Sequence, residues 1–266
     1  MKTVSFDFYW KYNDDTIIEI VNLIRDKNFL FIPEELHYEG EHSFEEGIKD
    51  FVNINFDTEE DINVSIYGNI LGEKARLYFS VQEWGKQKII KFLLSCNIAS
   101  GSDLLFINSY LKIADLICCF VFDTNDERWQ SEYSINHYQL YDMPYKHLPL
   151  SKDRTDAIII DTSSNYGRSE YSISIQFLAA SEMYFGEIFF KIIPKNILLN
   201  SSEANEVKIG KNNLLRIMLF NMFDNSIQEI RRKQKLFLDG TEMFAIVKNL
   251  HEKYRSENIA LNSLGL

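Results

Sequence analysis

Residues 62–81, INVSIYGNILGEKARLYFSV, contain two short runs in which apolar and polar side chains alternate. The apolar positions of these runs are Ile62, Val64, Ile66, Ala75, Leu77, Phe79 and Val81. Such alternation is typical of a strand with one buried face. Glycines stand at both ends of the intervening segment 68–72 and favour a turn there. The sequence therefore predicts a hairpin of two antiparallel strands.

The N-terminal residues predict a strand, a helix and a second strand, in that order. Apolar and polar residues alternate from Thr3 to Trp10, which indicates a strand with one buried face. Asn13 to Thr16 are residues that cap helices, and the apolar positions after them recur at helical spacing to about Asn28. Phe29 to Ile32 then form a short apolar strand, which we expect to stop before the proline at position 33.

The segment 86–122 predicts two helices and a buried strand. Lys86 to Asn97 has apolar residues at helical spacing, and Ser100 to Asp103 can cap a further helix. Ile113 to Phe122 is apolar almost throughout, which is typical of a strand inside a protein core.

Residues 124–156 are the least regular part of the chain and are rich in aromatic side chains. We expect a long loop with a short strand near Tyr133 to Leu140, and a candidate domain seam at the same place. Two strands are predicted after it, at Ala157 to Asp161 and at Glu170 to Phe177, joined by a polar turn. Residues 206–266 are predicted to be a helical C-terminal segment.

Strands are predicted both in hairpins and beside helices, which favours an α+β fold over an alternating parallel sheet. We predict a single α+β unit over residues 1–266, with a mixed or antiparallel sheet packed against helices. The length of 266 residues is sufficient for a large core. The hydrophobic content of 45% is that of an ordinary globular protein.

The cysteines and the N-terminus predict a cytoplasmic protein without a membrane segment. Cys118 and Cys119 are adjacent in a predicted strand and point to opposite faces, and Cys96 leaves the number odd. A disulfide framework is therefore not expected. The N-terminus lacks the continuous apolar run of a signal peptide. The longest apolar run, Leu116 to Phe122, is far shorter than the roughly 20 residues that span a bilayer.

The most unusual stretch is acidic and runs from Glu34 to Asp61, with Lys49 as its single base. Its eleven carboxylates are Glu34, Glu35, Glu39, Glu41, Glu45, Glu46, Asp50, Asp57, Glu59, Glu60 and Asp61. Ser43 followed by Glu46 is a capping-box pattern and predicts a short helix there. We expect an exposed acidic helix flanked by two acidic loops.

This acidic stretch has three interpretations. It is a solvated surface that keeps the protein soluble, a docking surface for a basic protein, or a cation site. The spacing at Asp57 to Asp61 lacks the central glycine and the closing glutamate of a calcium-binding helix–loop–helix. We therefore expect no metal ion and no cofactor.

An alternative enzymatic site is predicted at the end of a strand. Asp161, Ser163 and Arg168 offer a carboxylate, a hydroxyl and an anion-binding guanidinium, as a hydrolase or phosphate-handling enzyme needs. The same residues are also ordinary components of a polar turn.

The basic residues of the chain do not predict binding to nucleic acid. Residues 1–70 hold 16 acidic and 5 basic side chains, and the net charge of the whole chain is -11. Nucleic-acid binding requires a basic footprint. Arg231, Arg232, Lys233 and Lys235 form a cluster on a predicted helix, which we interpret as a solvated face or as a partner of the acidic stretch.

The charge segregation favours a non-enzymatic protein that binds a basic protein through its acidic N-terminal third. The concrete hypothesis is a bacterial-type immunity or inhibitor protein that blocks a basic toxin such as a nuclease. The alternatives are the enzyme centred on Asp161 and a structural module whose acidity serves solubility alone.

Overall fold

The computed structural model describes residues 1–26, 31–38, 40–51, 54, 62–70, 72–84, 87–100 and 107–257. Its strands are β1 Lys2–Lys11, β2 Phe31–His37, β3 Glu41–Ser43, β4 Ile62–Ile70, β5 Glu73–Trp84, β6 Gln87–Ile98, β7 Leu116–Asp123, β8 Leu150–Lys152, β9 Ile158–Ile160, β10 Glu170–Ser172, β11 Ile175–Phe177, β12 Glu182–Phe185, β13 Glu206–Ile209 and β14 Leu215–Met218. Its α-helices are α1 Asp14–Arg25, α2 Phe44–Phe51, α3 Thr124–Ser131, α4 Ile135–Leu140, α5 Lys195–Leu199, α6 Ile227–Thr241 and α7 Met243–Glu257.

Ten of these strands form one sheet in the order β13-β14-β12-β7-β1-β6-β5-β4-β2-β3. All neighbouring strands in this order are antiparallel. The strands β10 and β11 form a separate hairpin, and so do β8 and β9. The predicted α+β fold is confirmed, and its sheet is antiparallel.

Strand β1 lies at the centre of the sheet and is buried on both faces. Its even-numbered residues, among them Phe6 and Phe8, define the front face, and Ser5, Asp7 and Tyr9 define the back face. The prediction of a single buried face was wrong because the second half of the chain covers the back. For example, the backbone N–H of Gln176 in β11 donates to the Tyr9 hydroxyl at 3.2 Å.

The two halves of the sheet are covered on opposite faces. On the front, α2 covers β5, where the rings of Phe51 and Phe79 pack edge to face with centroids 5.1 Å apart. On the back, Phe185 of β12 stacks on Phe189 at a centroid distance of 4.3 Å. Among the described residues, the back of β4 and β5 is more open than the back of β7 and β12, since Arg76 is exposed and Tyr67 and Tyr78 are half-buried.

The predicted hairpin at residues 62–81 and the predicted order of strand, helix and strand at the N-terminus are confirmed, while Phe29 and Leu30 of the second predicted strand lie outside the described residues. The predicted helix at Lys86 to Asn97 is wrong, because these residues belong to β6. Ile90, Phe92, Leu94 and Cys96, every second residue of β6, are buried and pair with β1 on one side and β5 on the other. Here the alternation of a buried strand overrides an equally good helical spacing.

Three further differences come from local structure. Residues 135–140, predicted as a strand, form α4. Residues 170–177 form a hairpin and not one strand, since Ile173 and Ser174 have positive φ angles of 53° and 60° and turn the chain. The helical C-terminal segment begins only at α6, because β13 and β14 occupy part of 206–218. Most of the predicted helix after Ser100 lies outside the described residues, and 110–112 is a short 3-10 helix.

The helices of the described part of the chain are too short or too polar to cross a bilayer.

Candidate protein-binding site

Six carboxylates of the acidic stretch lie in the described residues, and all six side chains are exposed. We call this group the acidic edge; its members are Glu34, Glu35, Glu41, Glu45, Glu46 and Asp50. They belong to β2 and β3, the last two strands at one end of the ten-stranded sheet, and to α2, which packs against them. Glu39, Asp57, Glu59, Glu60 and Asp61, which were predicted with them, lie outside the described residues.

Strand β2 carries the first two carboxylates of the acidic edge. It was expected to stop before Pro33, but it continues to His37 through a bulge between Pro33 and Glu35. Leu36 is fully buried in this part of the strand, which is why the stretch is extended and not the predicted loop. Glu34 accepts a hydrogen bond from the Asn69 side chain, and Glu35 lies 3.3 Å from the His37 ring nitrogen Nε2.

Helix α2 carries three more carboxylates and confirms the predicted acidic helix. Its apolar side packs onto β2, and Gly47 permits this approach because a Cβ there would lie 2.8 Å from Leu36 Cδ2. The Ser43 hydroxyl donates to Glu46 Oε2 at 2.6 Å, so the predicted capping residues are in contact. Glu45, Glu46 and Asp50 consequently point away from the core.

The carboxylates extend over both faces of the sheet at this end. Glu35 and Glu41 pair in register with Tyr67 and His37 and share the back face with them. Helix α2 lies on the front. Strand β3, between these two groups, is the terminal strand of the sheet, so the acidic edge wraps around the sheet end and is not a flat patch.

No ion pair of the described residues joins a lysine or an arginine to the acidic edge. The basic cluster on α6 has local partners instead. Arg231 pairs with Asp126, Arg232 with Glu229, and Lys235 with Asp239. Lys233 is buried and donates to Asn205 Oδ1 at 2.6 Å. The interpretation that this cluster pairs with the acidic stretch inside one chain is therefore wrong.

A groove of about 480 Å³ lies beside the acidic edge, between the end of α1, strand β2 and the start of α2. Its lining residues are Ile24, Arg25, Asp26, Phe31, Ile32, Pro33, Glu34, Ser43, Phe44 and Glu45. Sequence reasoning missed this groove because it is assembled from three separate elements. Within strand β2 alone, the exposed apolar side chain of Ile32 is a sign of this groove.

The three residues of the alternative enzymatic site are held in a polar turn. Asp161 Oδ1 accepts the backbone N–H of Ser163 at 2.9 Å, and these hydrogen bonds from Ser163 lower the pKa of Asp161. Arg168 donates to Glu170 at 3.0 Å and to the carbonyl oxygen of Asn165 at 2.9 Å. A depression of about 390 Å³ is lined by Arg168 and by residues of α7, but Asp161 is not among its lining residues.

A buried polar cluster on the back face of β1 was not predicted. Burial raises the pKa of Asp7 to about 7, while the Ser5 hydroxyl, which donates to Asp7 at 2.7 Å, opposes the shift. Lys91 lies over the rings of Tyr9 and Tyr171, and burial lowers its pKa. Tyr171 also lines the depression of about 390 Å³, whereas Ser5, Asp7, Tyr9 and Lys91 are buried, and we assign these four side chains to the core.

Among the described residues, no three histidine, cysteine, aspartate or glutamate side chains converge as metal ligands would. A comparison with known protein families finds none that matches this chain, and a comparison with curated proteins also finds no match.

Proposed function

We propose that this chain is a non-enzymatic binding protein that holds a basic protein on its acidic edge. The observation that carries the proposal is the exposure of all six described carboxylates without a lysine or arginine partner in the described residues. Elsewhere on the molecule, acidic side chains such as Glu182 and Asp126 are paired with arginines. An exposed field of carboxylates that greatly outnumber the basic side chains beside them favours a cationic partner.

The proposed partner is a basic protein, and a basic toxin such as a nuclease is the concrete candidate. A nuclease carries a basic cleft because it binds phosphates. Carboxylates displayed around a sheet end can occupy such a cleft, and this chain would then act as an immunity or inhibitor protein. Its three cysteines are buried and unpaired, which agrees with a reducing compartment, and we propose that the complex forms in the cytoplasm.

The test is affinity capture at low salt with the wild-type chain and with the variant Glu45→Lys/Glu46→Lys/Asp50→Lys. All three side chains are exposed on α2, so the fold is expected to survive. We expect the wild type to retain a basic protein that the variant does not retain. We also expect moderate salt to release the partner, because salt screens exposed charges.

A matched control separates a local effect from a change of net charge. The variant Glu19→Lys/Glu187→Lys/Glu252→Lys changes the net charge by the same amount at three exposed positions on α1, after β12 and on α7. It should retain the partner. Equal loss with both variants would indicate a general charge effect, and equal retention with both would contradict the proposed site.

A further inference from the structure

The groove beside the acidic edge has an apolar floor that is open to solvent. Phe31 and Phe44 are buried residues of its lining, and Ile32, which points to the opposite face of β2 from Phe31, lines its outer part and is 63% exposed. The backbone of Ile32 packs closely against strand β4, since a Cβ on Gly68 would lie 2.2 Å from the Ile32 carbonyl oxygen. The floor is thus a fixed apolar surface at the end of the sheet.

The rim of the same groove is negatively charged. Asp26, Glu34 and Glu45 line it, and Arg25 is the one basic side chain among those lining residues that the structure describes. Glu34 and Glu45 stand at opposite sides of the groove, one on β2 and the other on α2. A ligand that fits must therefore combine an apolar body with a positive charge.

An arginine side chain has this combination. Its methylene stem packs on apolar surface while its guanidinium remains near water and can contact carboxylates through a planar fork of donors. Arginine is also enriched among the residues that contribute most to binding at protein interfaces. The volume of about 480 Å³ exceeds that of one side chain, so an adjacent apolar residue can enter with it.

We propose that this groove receives an arginine of the basic partner together with the apolar residue beside it. The guanidinium contacts Glu34 and Glu45, and the apolar residue covers Ile32. This inference rests on the proposed function, because it specifies how the acidic edge recognises its partner.

The first experiment uses peptides as probes of the groove. The full chain, labelled with ¹⁵N, is titrated with acetyl-Leu-Arg-Leu-amide and with the matched peptide in which citrulline replaces arginine. Citrulline keeps the shape of arginine but lacks its charge. We expect the amide signals of Ile32, Phe44 and Glu45 to shift with the arginine peptide and to shift several-fold less with the citrulline peptide. Equal shifts with both peptides, or no shift at these residues, would overturn the inference.

The second experiment measures the captured partner against single variants. Ile32→Ser should weaken its binding roughly tenfold, since apolar burial is lost. Glu45→Gln should weaken it by about two- to fivefold, as expected for one exposed ion pair. Ile209→Ser on β13 and Glu187→Gln are matched controls at exposed positions and should leave the affinity unchanged.

The two proposals fail in different ways. If the Glu45→Lys/Glu46→Lys/Asp50→Lys variant loses the partner but Ile32→Ser does not, the acidic edge binds and the groove does not. If the triple variant keeps the partner, the proposed function itself is wrong. Sedimentation of the chain alone tests a second copy as the occupant: a dimer that Ile32→Ser dissociates would overturn the arginine assignment.

Discussion

At one end of the ten-stranded sheet, Arg216 donates to Glu206 and to Glu182 at 2.9 Å each, and Lys208 pairs with Glu206 as well. At the other end, the acidic edge has no lysine or arginine partner in the described residues. Both ends are edges of the same antiparallel sheet, and exposed edges need charge to prevent unwanted strand pairing. Both ends thus carry charged side chains, but among the described residues carboxylates are paired with lysine or arginine only at the β13 end.

At the centre of the sheet, a carboxylate is buried in the core. Asp7 is 1% exposed and stands between the two ends on β1. It faces Ser5 and Tyr9 on its own strand, Lys91 on β6, Cys118 on β7, Glu127 on α3 and Tyr171 on β10. Burial raises the pKa of Asp7 more than any of these neighbouring groups changes it. The free-energy cost of the Asp7 charge therefore comes from its burial in the fold and not from one neighbouring side chain.

The largest effect is expected for Asp7→Asn. The pKa of Asp7 is about 7 in the folded protein and 3.8 without the fold, so the wild type loses stability as pH rises from 3.8 to about 7. Asparagine carries no charge and avoids this loss, which amounts to at most about 4 kcal/mol. The variant should therefore gain stability over the wild type as pH rises from 5 to 8, measured by urea unfolding.

Ser5→Ala is the matched variant for this measurement. The Ser5 hydroxyl lowers the pKa of Asp7 in the folded protein. In Ser5→Ala, the loss of stability with rising pH should therefore continue to a higher pH than in the wild type. An Asp7→Asn variant whose stability relative to the wild type does not change between pH 5 and pH 8 would show that Asp7 does not titrate in this window.

A medium effect is expected for Arg216→Met at the paired end of the sheet. The side chains of Arg216 and Glu182 are 33% and 12% exposed, so removal of the arginine leaves a largely buried carboxylate without its cationic partner, although the Tyr184 hydroxyl still donates to it. We expect a loss of about 2 kcal/mol in the free energy of unfolding. The loss should be largely restored in the double variant Arg216→Met/Glu182→Gln. If Arg216→Met does not change the free energy of unfolding, the ion pairs at this end of the sheet do not contribute to stability, and the proposed difference between the two ends is wrong.

The smallest effect on stability is expected at the acidic edge. The Glu45→Lys/Glu46→Lys/Asp50→Lys variant should unfold within about 0.5 kcal/mol of the wild type in urea, because the three side chains are exposed. Circular dichroism should be unchanged. A large loss of stability would mean that these carboxylates maintain the fold, and the comparison between the two ends would then fail.

Alternation identified the hairpin of β4 and β5 and the front face of β1 from the sequence alone. The back face of β1 escaped prediction because Ser5 and Asp7 look like solvent-facing residues, and their cover comes from residues more than 160 positions later, such as Gln176. Ile89, Ile90, Leu93 and Cys96 fit a helix as well as a strand, and only pairing with β1 and β5 decides between them.

The candidate site was predictable in its charge and not in its shape. The density of carboxylates is a property of the sequence, and the exposure of α2 followed from its spacing. The groove was not predictable, because Ile24, Ile32 and Phe44 come together only when α1, β2 and α2 pack.

The most direct test of the acidic edge is the association rate of the captured complex as a function of ionic strength. Electrostatic steering raises association rates by about 10–10³-fold and falls steeply with salt. We predict a steep decrease for the wild type and for the Glu19→Lys/Glu187→Lys/Glu252→Lys control, and a nearly flat dependence for the Glu45→Lys/Glu46→Lys/Asp50→Lys variant. A wild-type rate that does not change with salt would contradict the account.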